Sequence, residues 1–163
     1  MPQILDTNEM MFDNFEPLQP QRFVMYIAGI PTAIIKAVDQ PKLTSSVVTI
    51  PHINVERYVK GKSKWNPVTV DMLDYIAPST MQMVMEWYRL EHESVTGRDG
   101  YHDMMARDVT IKAIGPIGDV VREWTLKGAW ISESNPPKFD WSSEGEAMII
   151  SMTLIYDYAL LNY

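Results

Sequence analysis

The chain has 163 residues, a formal charge of −7 and no cysteine, and 46% of its residues are apolar. That length and apolar share predict one folded domain with a substantial core, and the missing cysteines exclude a disulfide framework or a thiolate metal site. The acidic balance disfavours tight, sequence-independent binding to nucleic acid, which needs a basic surface, and no apolar run is long enough to predict a membrane-spanning helix.

The first residues lack the basic patch and apolar run of a signal peptide. Residues 1–20 carry Asp6, Glu9, Asp13 and Glu16 with Phe12, Phe15 and Leu18 between them, and Pro17 and Pro20 close the segment. Nothing sustains a helix or a strand, so this stretch reads as an extended arm. It is either a frayed terminus or an arm whose Phe12 and Phe15 dock on a partner.

Residues 22–28 alternate as a strand, Gly29-Ile30-Pro31 makes a turn, and residues 32–38 read as the second strand of a hairpin. Residues 41–67 read as a long protruding hairpin. Pro51 cannot donate to a ladder, so its strand is expected to be an edge or to break there. Lys60, Lys62 and Lys64 form the one basic concentration in an acidic chain. They suit either a solvated loop tip or contact with an acidic surface on another subunit. A strand over residues 68–73 follows.

The one clear helix is predicted over residues 79–93, with Ser79 and Gln82 spaced as a capping box. Gln82, Glu86, Arg89 and Glu93 make one narrow polar stripe, while Met81, Met83, Val84, Met85, Trp87, Tyr88 and Leu90 fill most of the remaining circumference. An ordinary surface helix buries a single stripe. A single sheet covers one side of such a helix, so the other side is expected to meet a second copy, with Met85 and Trp87 at that contact.

Residues 96–105 read as a Gly- and Asp-rich loop, residues 107–114 as a strand, 115–119 as a turn and 120–131 as another strand. The last strand is predicted over residues 147–158, about twice the usual length. Met148, Ile150, Met152, Leu154, Tyr156 and Tyr158 share its apolar face. Ser151, Thr153 and Asp157 share a mixed face with Ala147, Ile149 and Ile155.

Candidate chemistry is sparse. His52, His92 and His102 lack the spacing of a helical zinc pair, and no serine lies in a nucleophile turn. Asp99, Asp103 and Asp108 lack the ligand spacing of a calcium loop and read as solvated. Trp65, Trp87, Trp124, Trp130 and Trp141 read as core anchors. No catalytic, cofactor-binding or metal residue is assigned, and a non-enzymatic protein is expected.

In combination, Leu126-Lys127-Gly128-Ala129-Trp130, Phe139-Asp140-Trp141, Thr153-Leu154 and Tyr156-Asp157-Tyr158 resemble the tail tube proteins of contractile-tailed bacteriophages. Lys36-Ala37 before Pro41, Gly61 with Trp65, Val68-Thr69-Val70, and Trp87 in the helix add to the likeness over residues 21–158. The longer acidic arm and Pro51 depart from that pattern. The resemblance implies a mainly β (α+β) fold, two packed antiparallel sheets in a small sandwich with one flanking helix. It also implies that the sheets join across subunits into a ring-shaped barrel. Six copies would form each ring, and rings would stack into a tube inside a contractile sheath, the conduit for DNA ejection in the virion tail. The implied partners are further copies, the sheath, and baseplate and terminator proteins, with DNA passing unbound, no membrane and no cofactor. Phe12, Phe15, Lys60, Lys62, Lys64, Met85, Trp87, Tyr156 and Tyr158 are the expected subunit or ring contacts. A baseplate tube initiator, an inner tube of a secretion system and, more distantly, a small-molecule-binding barrel are the alternative readings.

Overall fold

The computed structural model describes residues 16–162, and Phe12 and Phe15 lie outside that range. Nine strands are found among the described residues: β1 (Phe23–Ile27), β2 (Ile35–Val38), β3 (Leu43–His52), β4 (Val55–Trp65), β5 (Val68–Leu73), β6 (Arg107–Ile114), β7 (Val120–Asn135), β8 (Ile149–Ile155) and β9 (Tyr158–Leu161). Helix α1 spans Thr80–Glu91, and a short α2 spans His102–Met105 inside the segment expected to be a loop.

All pairing is antiparallel, and the long strand β7 belongs to two sheets at once. Its first half pairs with β6 on one side, which in turn pairs with β1, and with β9 on the other. Its second half, from Trp130 to Asn135, pairs with β8, and the sheet continues through β5 to β2. The described residues therefore make two packed sheets joined through β7, and they do not close a barrel. Strands β3 and β4 form a separate two-stranded ribbon.

The core lies between the two sheets. Val68, Val70 and Met72 of β5 and Ile150, Met152 and Leu154 of β8 alternate inward. They meet Met25 and Ile27 of β1, Val109 and Ile111 of β6, and Leu126, Ala129 and Ile131 of β7. Period-two alternation produces this layer directly, and each large aliphatic side chain buried there is worth roughly 1.5–3 kcal/mol. On the other face of the β5–β8 pair stand Thr69, Asp71, Ser151 and Thr153, with the Ser151 hydroxyl donating to Asp71 Oδ1 at 2.6 Å.

The expected hairpin over residues 22–38 is not formed. Residues 32–34 make a turn of 3-10 helix, and β1 and β2 leave for different sheets. Alternation within each strand was legible, but the partner of each strand is distant in sequence.

The expected single strand over 147–158 is divided at Tyr156-Asp157, although β8 and β9 run along the same side of β7. Gly128 in β7 has φ of 66°, and Asp157 faces this kink, its N–H donating to Lys127 O at 3.0 Å. Inward positions in β7 step from Leu126 to Ala129, and in β8–β9 from Tyr156 to Ala159, so both strands slip their alternation by one residue at the same level. Tyr158, expected on the apolar inner face, is consequently exposed, and Ala159 takes the inward place.

Helix α1 enters without the expected capping box, since Ser79 makes no side-chain cap bond. Thr80 is the buried fastening: its hydroxyl donates to Leu73 O at 2.7 Å and accepts from Tyr75 N–H at 3.2 Å. Among the described residues the helix buries Thr80, Val84 and Trp87. The apolar circumference read from the sequence thus exceeds the surface that the described residues cover.

Candidate assembly surfaces

Three surfaces carry the residues singled out above: the β3–β4 hairpin, the outward side of α1, and the free edges of the sheet β7–β8–β5–β2. In the hairpin every residue of β3 is exposed, and so is nearly all of β4. Strand alternation by itself would place Lys60, Lys62 and Lys64 together. A bulge intervenes at Gly61-Lys62 opposite Ser46, where the Ser46 hydroxyl donates to Lys62 O at 3.2 Å. A Cβ on Gly61 would come within 2.3 Å of that hydroxyl oxygen, so a larger residue there would displace the Ser46 side chain and its bond to Lys62 O. Across it, Lys60 pairs with Val47 and Lys64 with Thr44, which puts these two ammonium groups on opposite faces.

One face of the outer hairpin is apolar, with Val48 opposite Val59 and Ile50 opposite Arg57, followed by His52 opposite Val55. Val48, Ile50, Val55 and Val59 are all between 44% and 68% exposed. Pro51 is tolerated because a two-stranded ribbon consists of edges. The hairpin is anchored at its base, where Trp65 packs against Tyr156 with ring centroids 6.1 Å apart. Tyr156, expected at a subunit contact, is therefore buried in its own chain. Burial raises its phenol pKa, and the Lys42 backbone partly offsets this.

On α1, Trp87 is likewise buried in its own chain. Its Nε1–H donates to Met105 O at 2.7 Å, and the Arg107 guanidinium lies 4.6 Å above its ring. Arg107 also donates to Ala28 O, so one side chain ties α1 to the ends of β1 and β6; its burial lowers its pKa. Met85 is half-buried, and with Met81 it lines a shallow outward depression flanked by Gln82, Glu86 and Arg89. Tyr88 is pushed up in pKa by burial and then by the charges of Glu91 and Glu133. Glu91 is itself raised by burial and by Asp99, with His92 opposing.

The sheet β7–β8–β5–β2 ends on two strands with an unpaired side. No described strand pairs with the outer side of β2, and from Trp130 onward β7 has β8 as its single partner. Near β2 the two sheets part into a cleft of about 450 Å³, lined by Phe23, Val38, Ile111 and Trp124 with Lys36 and Arg122.

The loop before β8 was missed as a surface. Trp141, read as a core anchor, is fully exposed, and Phe139 beside it is 91% exposed. Asp140 Oδ1 accepts from both the backbone N–H and the hydroxyl of Ser142, at 2.9 Å and 2.6 Å, which holds the loop in a turn. An Asp two residues before a Ser is the signal that marks such a turn. Among the described residues no group of His, Asp and Glu side chains is arranged to hold a metal ion.

A family model, the T4-like virus tail tube protein gp19, matches residues 19–159. No curated protein sequence matches the chain. Among solved structures, a chain of the anti-feeding prophage cap (AFP tube terminating cap) is similar with a TM-score of 0.73 at 14% identity, covering 97% of this chain and 99% of that one. A chain of the sheath–tube complex of the extracellular contractile injection system PVC, in its extended state, gives 0.69 at 15% identity, covering 98% and 99%. Hcp1 from Flavobacterium johnsoniae gives 0.50 at 13% identity, covering 86% and 94%. At these identities the structures speak for the fold, whereas the family match spans most of the sequence. The chain belongs to the T4-like virus tail tube protein gp19 family and is a structural subunit of a tail tube.

Proposed function

We propose that six copies close into a ring through the sheet β7–β8–β5–β2, and that rings stack into the tube through which DNA leaves the particle. The observation that carries this reading is the pair of unpaired edges on a sheet of four strands. An even number of antiparallel strands leaves its outer strands running oppositely, so β2 of one copy meets the second half of β7 of the next in antiparallel register. Closure removes edges that would otherwise template aggregation. Six copies would give a barrel of about 24 strands, beyond the 16–18 at which barrels already enclose an aqueous channel.

The core occupies one face of this sheet, so the other would line the lumen. Thr69, Asp71, Ser151 and Thr153 of β5 and β8 give it a polar, weakly acidic surface that would repel phosphate. The β3–β4 hairpin and residues 1–15, with Phe12 and Phe15, become the contacts between rings. Tyr158, exposed near the β8–β9 break, joins the contact surface, and a surrounding sheath would be a further partner.

Electron microscopy of the purified protein tests this directly. Sixfold rings or stacked tubes with an open lumen are the expected result, and particles that remain monomeric under all assembly conditions would refute it. An initiating or terminating ring is the second reading, favoured by the likeness to a tube terminating cap. Such a protein would give single rings that never elongate.

A further inference from the structure

We infer that the outward face of α1, centred on Met81 and Met85, seats in the cleft beside β2 of the neighbouring copy in the ring. This rests on the edge-to-edge closure proposed above and adds to it a contact between a helix and the gap separating two sheets. Helix α1 belongs to the core side of its sheet, because Val84 and Trp87 enter the core. Its Trp87 lies under the Arg107 guanidinium, and Arg107 pairs with Ala129, where the second half of β7 begins. The cleft opens on the core side of the same sheet at its opposite edge, β2. Pairing β7 of one copy with β2 of the next makes the core face continuous, which brings α1 of the first alongside the cleft of the second.

The two surfaces are complementary in chemistry. The cleft has an apolar floor of Phe23, Val38 and Trp124 with two cations at its rim, Lys36 and Arg122. The helix offers two half-buried methionines, whose flexible side chains fill irregular gaps, and the carboxylate of Glu86 beside them. Arg122 is already held by Gln40 at 3.2 Å, whereas Lys36 is exposed and well placed to receive Glu86. The Trp124 Nε1–H is buried without an acceptor among the described residues, and Gln82 or Glu86 from a neighbour would supply one.

The chain has no native cysteine, so engineered pairs report contacts cleanly. The doubly substituted chain Met85→Cys/Val38→Cys, and a second carrying Met81→Cys/Val38→Cys, would be treated with a short bismaleimide after ring assembly. A ladder of covalent oligomers up to the full ring is expected on a denaturing gel. In parallel, Glu86→Lys and Lys36→Glu should each reduce ring yield several-fold, and the double reversal should restore it. Rings that form normally, give no ladder from either pair and ignore the charge reversals would overturn the helix-in-cleft contact while leaving ring closure standing. Failure of the unsubstituted chain to form rings at all would overturn the closure itself, and this contact with it.

Discussion

A Cβ placed on Gly128 would lie 2.5 Å from Asp157 Oδ2, so the bend of β7 and the break between β8 and β9 are one device. At that level β7 passes from one sheet to the other, and the β8–β9 ribbon follows it. Gly128 sits at φ of 66°, where a side chain is disfavoured even without the carboxylate in its way. Gly128→Ala is expected to destabilise the subunit by roughly 1–3 kcal/mol. Chemical denaturation checks this. Asp157→Ala in the same background should recover only the part due to the clash, because the positive φ remains.

The two helix residues first read as contacts separate into different experiments. Trp87→Ala removes a core side chain and its bond to Met105, and a loss of about 3–5 kcal/mol is expected. Met85→Lys changes a half-buried position on the outward side, so the subunit should fold with near-normal circular dichroism and fail to form rings. Normal rings from Met85→Lys would show that this face is solvated in the assembly.

The hairpin lysines should not behave alike. Lys60 and Lys64 occupy opposite faces of the ribbon, so a single acidic patch on the next ring can meet only one of them. Reversing Lys60 or Lys64 to Glu singly should shorten tubes unequally while leaving rings intact, with the difference shrinking at high salt. Tube-length distributions by electron microscopy give the measurement.

Two carboxylates give opposite pH effects. Asp108 is lowered in pKa chiefly by the hydrogen bond from Lys127, 2.5 Å away, so its contribution is present above the ordinary aspartate range and is lost as pH falls through its depressed value. Glu91 is raised by burial and Asp99, so ionising it costs stability, and that penalty builds from the ordinary glutamate range and is complete above its elevated value. Glu91→Gln is therefore expected to raise Tm at neutral pH and lose the advantage under acidic conditions, where the native side chain is already protonated. Asp108→Asn should lower Tm at neutral pH and matter little in acid. Thermal melts across pH check both signs.

Much of the architecture was readable because alternation is local. The inward series Ile150, Met152, Leu154 and Tyr156 is buried as period two requires, and the exposed hairpin over 41–67 and the helix after Ser79 are where turn and stripe signals put them. What failed was non-local. Residues 22–38 carry a good turn, yet β1 and β2 find partners about 86 and 35 residues away in β6 and β5. The slip at Tyr156-Asp157 was hidden because the constraint sits in Gly128, on the opposing strand. Tyr156 and Tyr158 looked equivalent in sequence and lie on opposite sides of that slip. Trp141 was assigned to the core by residue type alone, although Asp140 and Ser142 had already spelled out an exposed turn.

The fully exposed β3–β4 ribbon makes the subunit uneven in a way that amide protons can read. An isolated two-stranded ribbon is marginal in water, so in a free subunit its cross-strand amides are protected by little more than local opening. The amides of β5 and β8, under the core, should instead exchange close to the limit set by global unfolding. If neighbours cover the ribbon in the tube, its exchange should slow by orders of magnitude while that of β5 and β8 barely changes. Deuterium uptake over Leu43–His52 and Val55–Trp65 would then follow polymerisation residue by residue.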